Sequence, residues 1–216
     1  ILEACKHNNP TIKIIFASTR QIYGKPQYLP VDEKHPICPV DVNGINKTAG
    51  EQYHILYNNV YGIRTCVLRL TNTYGPRMRI KDARQTFVGI WIKQVIKGEI
   101  FEVWEGAQLR DFTYIDDCVN AILLAASNDK SNGKIYNLGG IEIISLLDLA
   151  NILQEISKVK YEIKKFPHDR KKIDIGSYYS DYSLIKSELG WTPTVKIKDG
   201  LSRTFKYFYE NIHKYL

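Results

Sequence analysis

Two β-branched runs with one long helical stretch between them constrain the fold of this chain more than any other feature. Residues 12–17 (IKIIFA) form an apolar run between a polar turn and Ser18-Thr19, the pattern of a buried strand. From Val42 to Tyr61 small and apolar residues recur at helical spacing (Ile45, Ala49, Tyr53, Leu56, Tyr57, Val60), and Gly62 stands where a helix stops. RTCVLRL (64–70) reads as a second strand. Strand, long helix and strand at this interval make a βαβ unit, which requires parallel pairing and a right-handed crossover.

The remainder continues the alternation. Residues 24–41, rich in Pro, Gly and Asp, read as a loop, and TNTYGPR (71–77) as a turn. Helices are expected over 85–97, 116–128, 145–159, 182–189 and 199–213, and strands over 101–104, 109–115, 134–140 and 161–166. Asp116 and Asp117 are expected to cap the second of these helices, and Ser145 the third. The pattern is α/β: half of a doubly wound parallel sheet followed by a smaller mixed lobe. No GxGxxG turn occurs, and Gly139-Gly140 reads as an ordinary turn after a late strand. The chain opens as if partway along a helix and without an initiator Met, and so reads as part of something longer.

Composition excludes several classes of function. No apolar run reaches the roughly 18 to 20 residues of a membrane span, and the opening ILEACKHNNP lacks the features of a secretory signal. The four cysteines are scattered without a CxxC pair, which argues for a reducing compartment and a cytoplasmic location, and against a thiolate metal site. Net charge is +7, but Lys and Arg are spread along the chain. Their densest cluster, residues 170–172, is soon followed by Asp174, so no nucleic-acid partner is expected. Asn46-Lys47-Thr48 fits the glycosylation pattern by chance.

The residues able to carry chemistry fall in a fixed order. FASTRQIYG (16–24) places Ser18 and Thr19 at the carboxyl end of a strand, where ligands of open α/β sheets bind. DVNGINKTAGE (41–51) follows, then LRLTNTYGPRMR (68–79), FEVWEGAQLRDFTYIDD (101–117) and DRKKIDIGSYYSDYSLIKSELGWTP (169–193). In this order and spacing the segments resemble the extended short-chain dehydrogenase/reductase family of NAD-dependent nucleotide-sugar epimerases and dehydratases, matched over its C-terminal portion. The third segment is similar to the UDP-glucuronate decarboxylase and epimerase branches.

The resemblance implies a partial Rossmann-like doubly wound sheet lacking its N-terminal half, with a mixed α/β substrate-binding lobe. Residues 1–75 would belong to the NAD-binding domain and 76–216 to the nucleotide-sugar lobe, with about 110–140 returning to the first sheet. It implies that Thr19 hydrogen-bonds the reacting sugar oxygen, that Ser18 and Lys47 serve the NAD site, and that Asn72, Arg110 and Arg170 hold the substrate diphosphate. Phe87, Val103 and Trp104 are candidates for the base pocket or for ordinary core. Arg69 is expected to support the site, and relatives of this type pair as homodimers through helices such as 42–61. No metal is implied.

Two departures bear on the reaction. Arg20-Gln21 stands where the family's 4,6-dehydratases carry Asp-Glu, so dehydration is disfavoured and epimerisation through a transient keto sugar is expected. The family's Tyr-x-x-x-Lys has Asn43 in the Tyr position ahead of Lys47, and an amide cannot act as a general base near neutral pH. The alternatives are a nucleotide-sugar-binding relative with lost or altered catalysis because Asn43 replaces the family Tyr, or a sugar-nucleotide dehydratase or decarboxylase. Literal Tyr-x-x-x-Lys strings at Tyr161–Lys165 and Tyr182–Lys186 lie in the wrong context and read as coincidence.

Overall fold

The computed structural model describes residues 1–81, 87–168 and 174–215. In chain order its elements are α1 (Leu2–Asn8), β1 (Lys13–Thr19), a 3-10 turn (Arg20–Tyr23), α2 (Val42–Tyr61), β2 (Arg64–Leu70) and β3 (Asn72–Tyr74). Next come α3 (Phe87–Ile96), β4 (Phe101–Trp104), β5 (Leu109–Tyr114), α4 (Ile115–Ser127), β6 (Lys134–Asn137) and β7 (Ile143–Ser145). The chain finishes with α5 (Leu146–Ser157), β8 (Tyr161–Lys164), α6 (Ser183–Leu189) and α7 (Ile197–Asn211).

β1, β2 and β6 form a parallel sheet in that order, with Thr19 opposite Leu70 and Leu68 opposite Tyr136. Neighbouring side chains of a strand point to opposite faces, and here each face carries a helix. Phe16 meets α2, stacking on His54 at 4.4 Å, and Gly50 leaves the space its ring fills. Ile15, Cys66 and Leu68 point the other way, into a core shared with Cys118, Ala121 and Ala125 of α4 and with Trp191. Helices on both faces of a parallel sheet are the doubly wound arrangement.

The lobe joins β3, β5 and β7, with β5 parallel to β3 and antiparallel to β7, while β4 pairs in parallel with β8. Its core holds Trp91 and Ile92 of α3, Phe101, Phe112, Leu149 and Leu153 of α5, and Leu201 and Phe208 of α7. Ser145 and Asp148 close a reciprocal capping box at the start of α5. Gly62 and Gly190 end α2 and α6 in the left-handed conformation.

Two expectations are corrected. Residues 71–77 contain the strand β3 rather than only a turn, because Asn72–Tyr74 finds a partner in β5. Asp116 and Asp117 cap nothing in their own helix, whose N-cap is Tyr114 without a side-chain bond. Asp117 instead turns inward and accepts from Thr194 Oγ1 at 2.7 Å and from the Thr194 and Val195 amides at 3.0 Å. The apolar stripe of α2 does not face the sheet: Tyr53 and Val60 are each 61% exposed, and the buried positions are Gly44 and Glu51.

Candidate functional site

β1 and β2 end side by side, and beyond their carboxyl ends a cleft runs toward the lobe in three adjoining hollows. The first, about 630 Å³, lies against Ser18, Thr19, Gln21, Asn43 and Thr71. The second, about 230 Å³, shares Thr19, Gln21, Thr71, Thr73 and Arg79 with the first and adds Arg20, Asn72 and Met78. The third, about 340 Å³, shares Arg20 with the second and is walled by Phe87, Trp91, Trp104 and Phe166 around Arg110 and Asp174.

Under the first hollow is a buried polar knot. Glu51 is fully buried and holds Arg69 by a two-pronged ion pair, with Arg69 Nη2 2.7 Å from Glu51 Oε2. Ser18 donates its hydroxyl to Glu51, so this side chain is engaged inward even as it borders the hollow. Arg69 also donates to Tyr23 Oη at 2.8 Å, which in turn donates to Asn137 at 2.6 Å. Burial pushes the Tyr23 phenol up to about 12, so it is no base for the cleft. Arg69 supports the site from beneath, touching none of the three hollows.

Thr19 borders both polar hollows, and its hydroxyl accepts from the Gln21 amide at 3.3 Å. Asn43 donates to the Gln21 side-chain oxygen, and Gln21 Nε2 donates to Asp41 at 2.8 Å. Asp41 is also the N-cap of α2, accepting from Gly44 N at 2.7 Å. The position one turn ahead of Lys47 thus carries an amide held by another amide, and the carboxylate bonded to that second amide, Asp41, is committed to capping. Lys47 stands one helical turn along and donates to the Ala17 carbonyl at 2.6 Å, beside the Phe16 ring. It flanks the cleft rather than lining a hollow.

Asn72 lines the second hollow, accepting from Arg20 Nη2 at 3.1 Å and donating to the Asp111 carbonyl at 3.3 Å. Arg110 is buried at the base of the third hollow. Its guanidinium donates to the Leu109 and Gly176 carbonyls and lies 3.4 Å from Asp174. Burial, with the nearby Arg20 cation adding to it, pushes Arg110 down to about 10. Phe87 and Trp104 wall this hollow, whereas Val103 is core. Arg170 lies outside the described residues.

The sequence reading gave no site role to Arg20 or Thr71. Arg20 borders the second and third hollows and packs over Tyr178 at 5.1 Å, and its Nη1 is buried with no hydrogen-bond partner among the described residues. Thr71 donates to the buried carboxylate of Asp111, whose pKa burial raises and which also accepts from Ser180 N at 3.0 Å. Arg20 drew notice only for standing where the family's 4,6-dehydratases carry an acid, and Thr71 only as a polar residue next to a strand end. Among the described residues no cluster of His, Cys, Asp and Glu is placed to hold a metal ion.

A parallel sheet that presents hydroxyls, amides and guanidinium groups to a cleft beyond its carboxyl edge is an open α/β architecture with its ligand-binding edge exposed. The chain belongs to the NAD dependent epimerase/dehydratase family, whose model matches residues 1–139. It is 35% identical to a putative UDP-glucose 4-epimerase of Methanocaldococcus jannaschii, over 92% of this chain and 64% of the relative. It is 31% identical to UDP-glucuronate 4-epimerase 3 of Arabidopsis thaliana, over 96% and 51%. Among solved structures, UDP-glucose 4-epimerase of Thermotoga maritima with UDP-glucose superposes with a TM-score of 0.88 at 30% identity, over 98% of this chain and 67% of that one. UDP-glucuronic acid 4-epimerase of Bacillus cereus, in complex with UDP-glucuronic acid and NAD, gives 0.84 at 31% identity, over 97% and 65%. The chain spans about half to two thirds of the length of these curated relatives.

Proposed function

We propose that the protein epimerises a nucleotide-diphosphate sugar through a transient keto intermediate, with NAD as cofactor. The observation that carries this reading is the continuity of the cleft. Thr19 and Asn43 border its first hollow, Asn72 its second and Arg110 its third, and Arg20 joins the last two. Sugar, diphosphate and base would lie along it in that order, with residues 1–75 forming the cofactor side and 76–216, less the return at about 110–140, the nucleotide-sugar side.

The residues present fit NAD in one respect that can be tested. The Lys47 ammonium has three donors and uses one, on Ala17, which leaves two for the hydroxyls of the nicotinamide ribose. When bound, NAD supplies a reversible hydride acceptor. Thr19 would hold the reacting sugar hydroxyl, and its proton would leave through Thr19 and a water, because the Asn43 amide cannot take it. Asn72, Arg110 and Arg170 would hold the diphosphate. Dehydration is disfavoured by Arg20-Gln21, since neither can serve as the acid or base that removes water.

A second reading has its own support. Asn43 and Gln21 bind each other, and Asp41 is tied to the helix start, so no free acid or base stands beside Lys47 among the described residues. A binding protein without turnover would have such a site. Adding UDP- or GDP-sugars with NAD and following formation of the epimeric sugar nucleotide by chromatography separates the two. Turnover that rises at least about tenfold in Asn43→Tyr, and that falls with NAD affinity in Lys47→Ala, supports epimerisation. Full turnover untouched by Lys47→Ala sinks the assignment, and tight sugar-nucleotide binding without turnover establishes the second reading.

The reading extends to assembly and location. The exposed apolar stripe of α2 supports a homodimer through that face. No helix among the described residues is long and apolar enough to cross a membrane, and the free thiols accord with the cytoplasm.

A further inference from the structure

We infer that Arg20 is a diphosphate-binding residue that takes the sugar-side phosphate, while Arg110 takes the phosphate next to the nucleoside. The inference rests on the nucleotide-sugar reading above and adds to it a residue and an order along the cleft.

Three observations converge on Arg20. It is the residue shared by the small polar hollow and the aromatic one, so whatever group joins a sugar to a nucleoside passes its guanidinium. That guanidinium is held on two sides, by Asn72 Oδ1 at 3.1 Å and by the Tyr178 ring at 5.1 Å. Its Nη1 is nevertheless buried without a hydrogen-bond partner among the described residues. A buried donor left unpaired in a cation is an arrangement that calls for an acceptor.

Charge points the same way. Arg20 and Arg110 face one hollow and repel each other across it. The carboxylates nearby are occupied: Asp174 lies against Arg110 and the Gly176 amide, and Asp111 accepts from Thr71 and the Ser180 amide. A diphosphate between the two guanidinium groups would relieve the repulsion and supply acceptors for both forks. Arg110 touches only the aromatic hollow, so its phosphate is the one beside the nucleoside, and the phosphate at Arg20 is the one bonded to the sugar. Asn72, with its oxygen already used by Arg20, would then aim Arg20 as well as contact the ligand.

The test is calorimetry on the intact protein with NAD present, using UDP, GDP, UMP and GMP as probes. For whichever base binds, Arg20→Met should weaken the nucleoside diphosphate by about 30-fold and the monophosphate by less than about threefold. Arg20→Lys, which keeps the charge and loses the fork, should fall between them. Arg110→Lys should weaken diphosphate and monophosphate alike. Melting temperatures identify variants that have lost the fold, and the preference of the unaltered protein for diphosphate over monophosphate stands independently of any variant. Equal losses for both nucleotides in Arg20→Met, or none, would overturn the role of Arg20 while leaving the nucleotide-sugar reading intact. If the unaltered protein binds neither diphosphate, both fail.

Discussion

Cys66 lies in the middle of β2 with Ala121, Ala125 and Tyr136 in the same core, and burial pushes its thiol up from 9.0 to about 12. Tyr23 is raised from 10.0 to about 12 for the same reason. As pH climbs past 9 the unfolded chain gives up these protons and the folded chain keeps them. The unfolded state then binds fewer protons, and stability declines with pH until the folded values are passed near 12. Urea melts from pH 8.5 to 11 should show this decline, with a shallower slope in Cys66→Ala. At pH 8 iodoacetamide should modify exposed Cys38 well ahead of Cys66 and Cys118, as mass spectrometry would report. Equal labelling of Cys38 and Cys66 in the folded protein would contradict the burial argument. Asn43 was legible from its place four residues before Lys47. Its bond to Gln21 was not, because a contact across 22 residues depends on how the 3-10 turn meets the helix.

Secondary elements followed their local signals closely where those signals were strong. β1, α2 and β2 lie where period and punctuation put them, and Ser145 begins α5 through the capping box its neighbours allow. Asp117 shows the limit of local reading. Two acids at a helix start suggest caps, yet Asp117 collects three bonds from Thr194 and Val195, and Trp191 Nε1 donates to its carbonyl at 3.0 Å. It therefore pins the segment after α6 to α4 rather than ending its own helix. Asp117→Ala should lower stability by about 2 to 4 kcal/mol, since it strands buried donors. Because Asp117, Thr194 and Val195 line none of the three hollows, nucleotide affinity measured below the melting transition should barely change. A surface-like loss under about 0.5 kcal/mol in denaturant melts would show that the segment is held by Trp191 alone. β3 escaped prediction because three residues carry too little period, and only pairing with β5 makes them a strand.

Across the molecule, the exposed stripe of α2 is the largest conflict between chain and surroundings. Val42 is 72% exposed, Tyr53 and Val60 61%, and Leu56 47%, while α1 lies alongside with Tyr57 Oη donating to Glu3 at 2.6 Å. If a homodimer covers this stripe, Leu56→Glu should shift the species seen by light scattering from dimer to monomer without loss of helical circular dichroism. An unaltered mass would place the dimer elsewhere or remove it. The alternation of strands and helices, the parallel sheet and the order of the polar motifs could all be read from the chain, because they depend on residue period and on short-range backbone preference. Which face of α2 meets the sheet, where Asp117 spends its bonds and how Arg20 comes to lie between Asn72, Tyr178 and Arg110 could not. Those depend on contacts between residues 18 to 158 positions apart, and only the packed chain brings such residues within reach of each other.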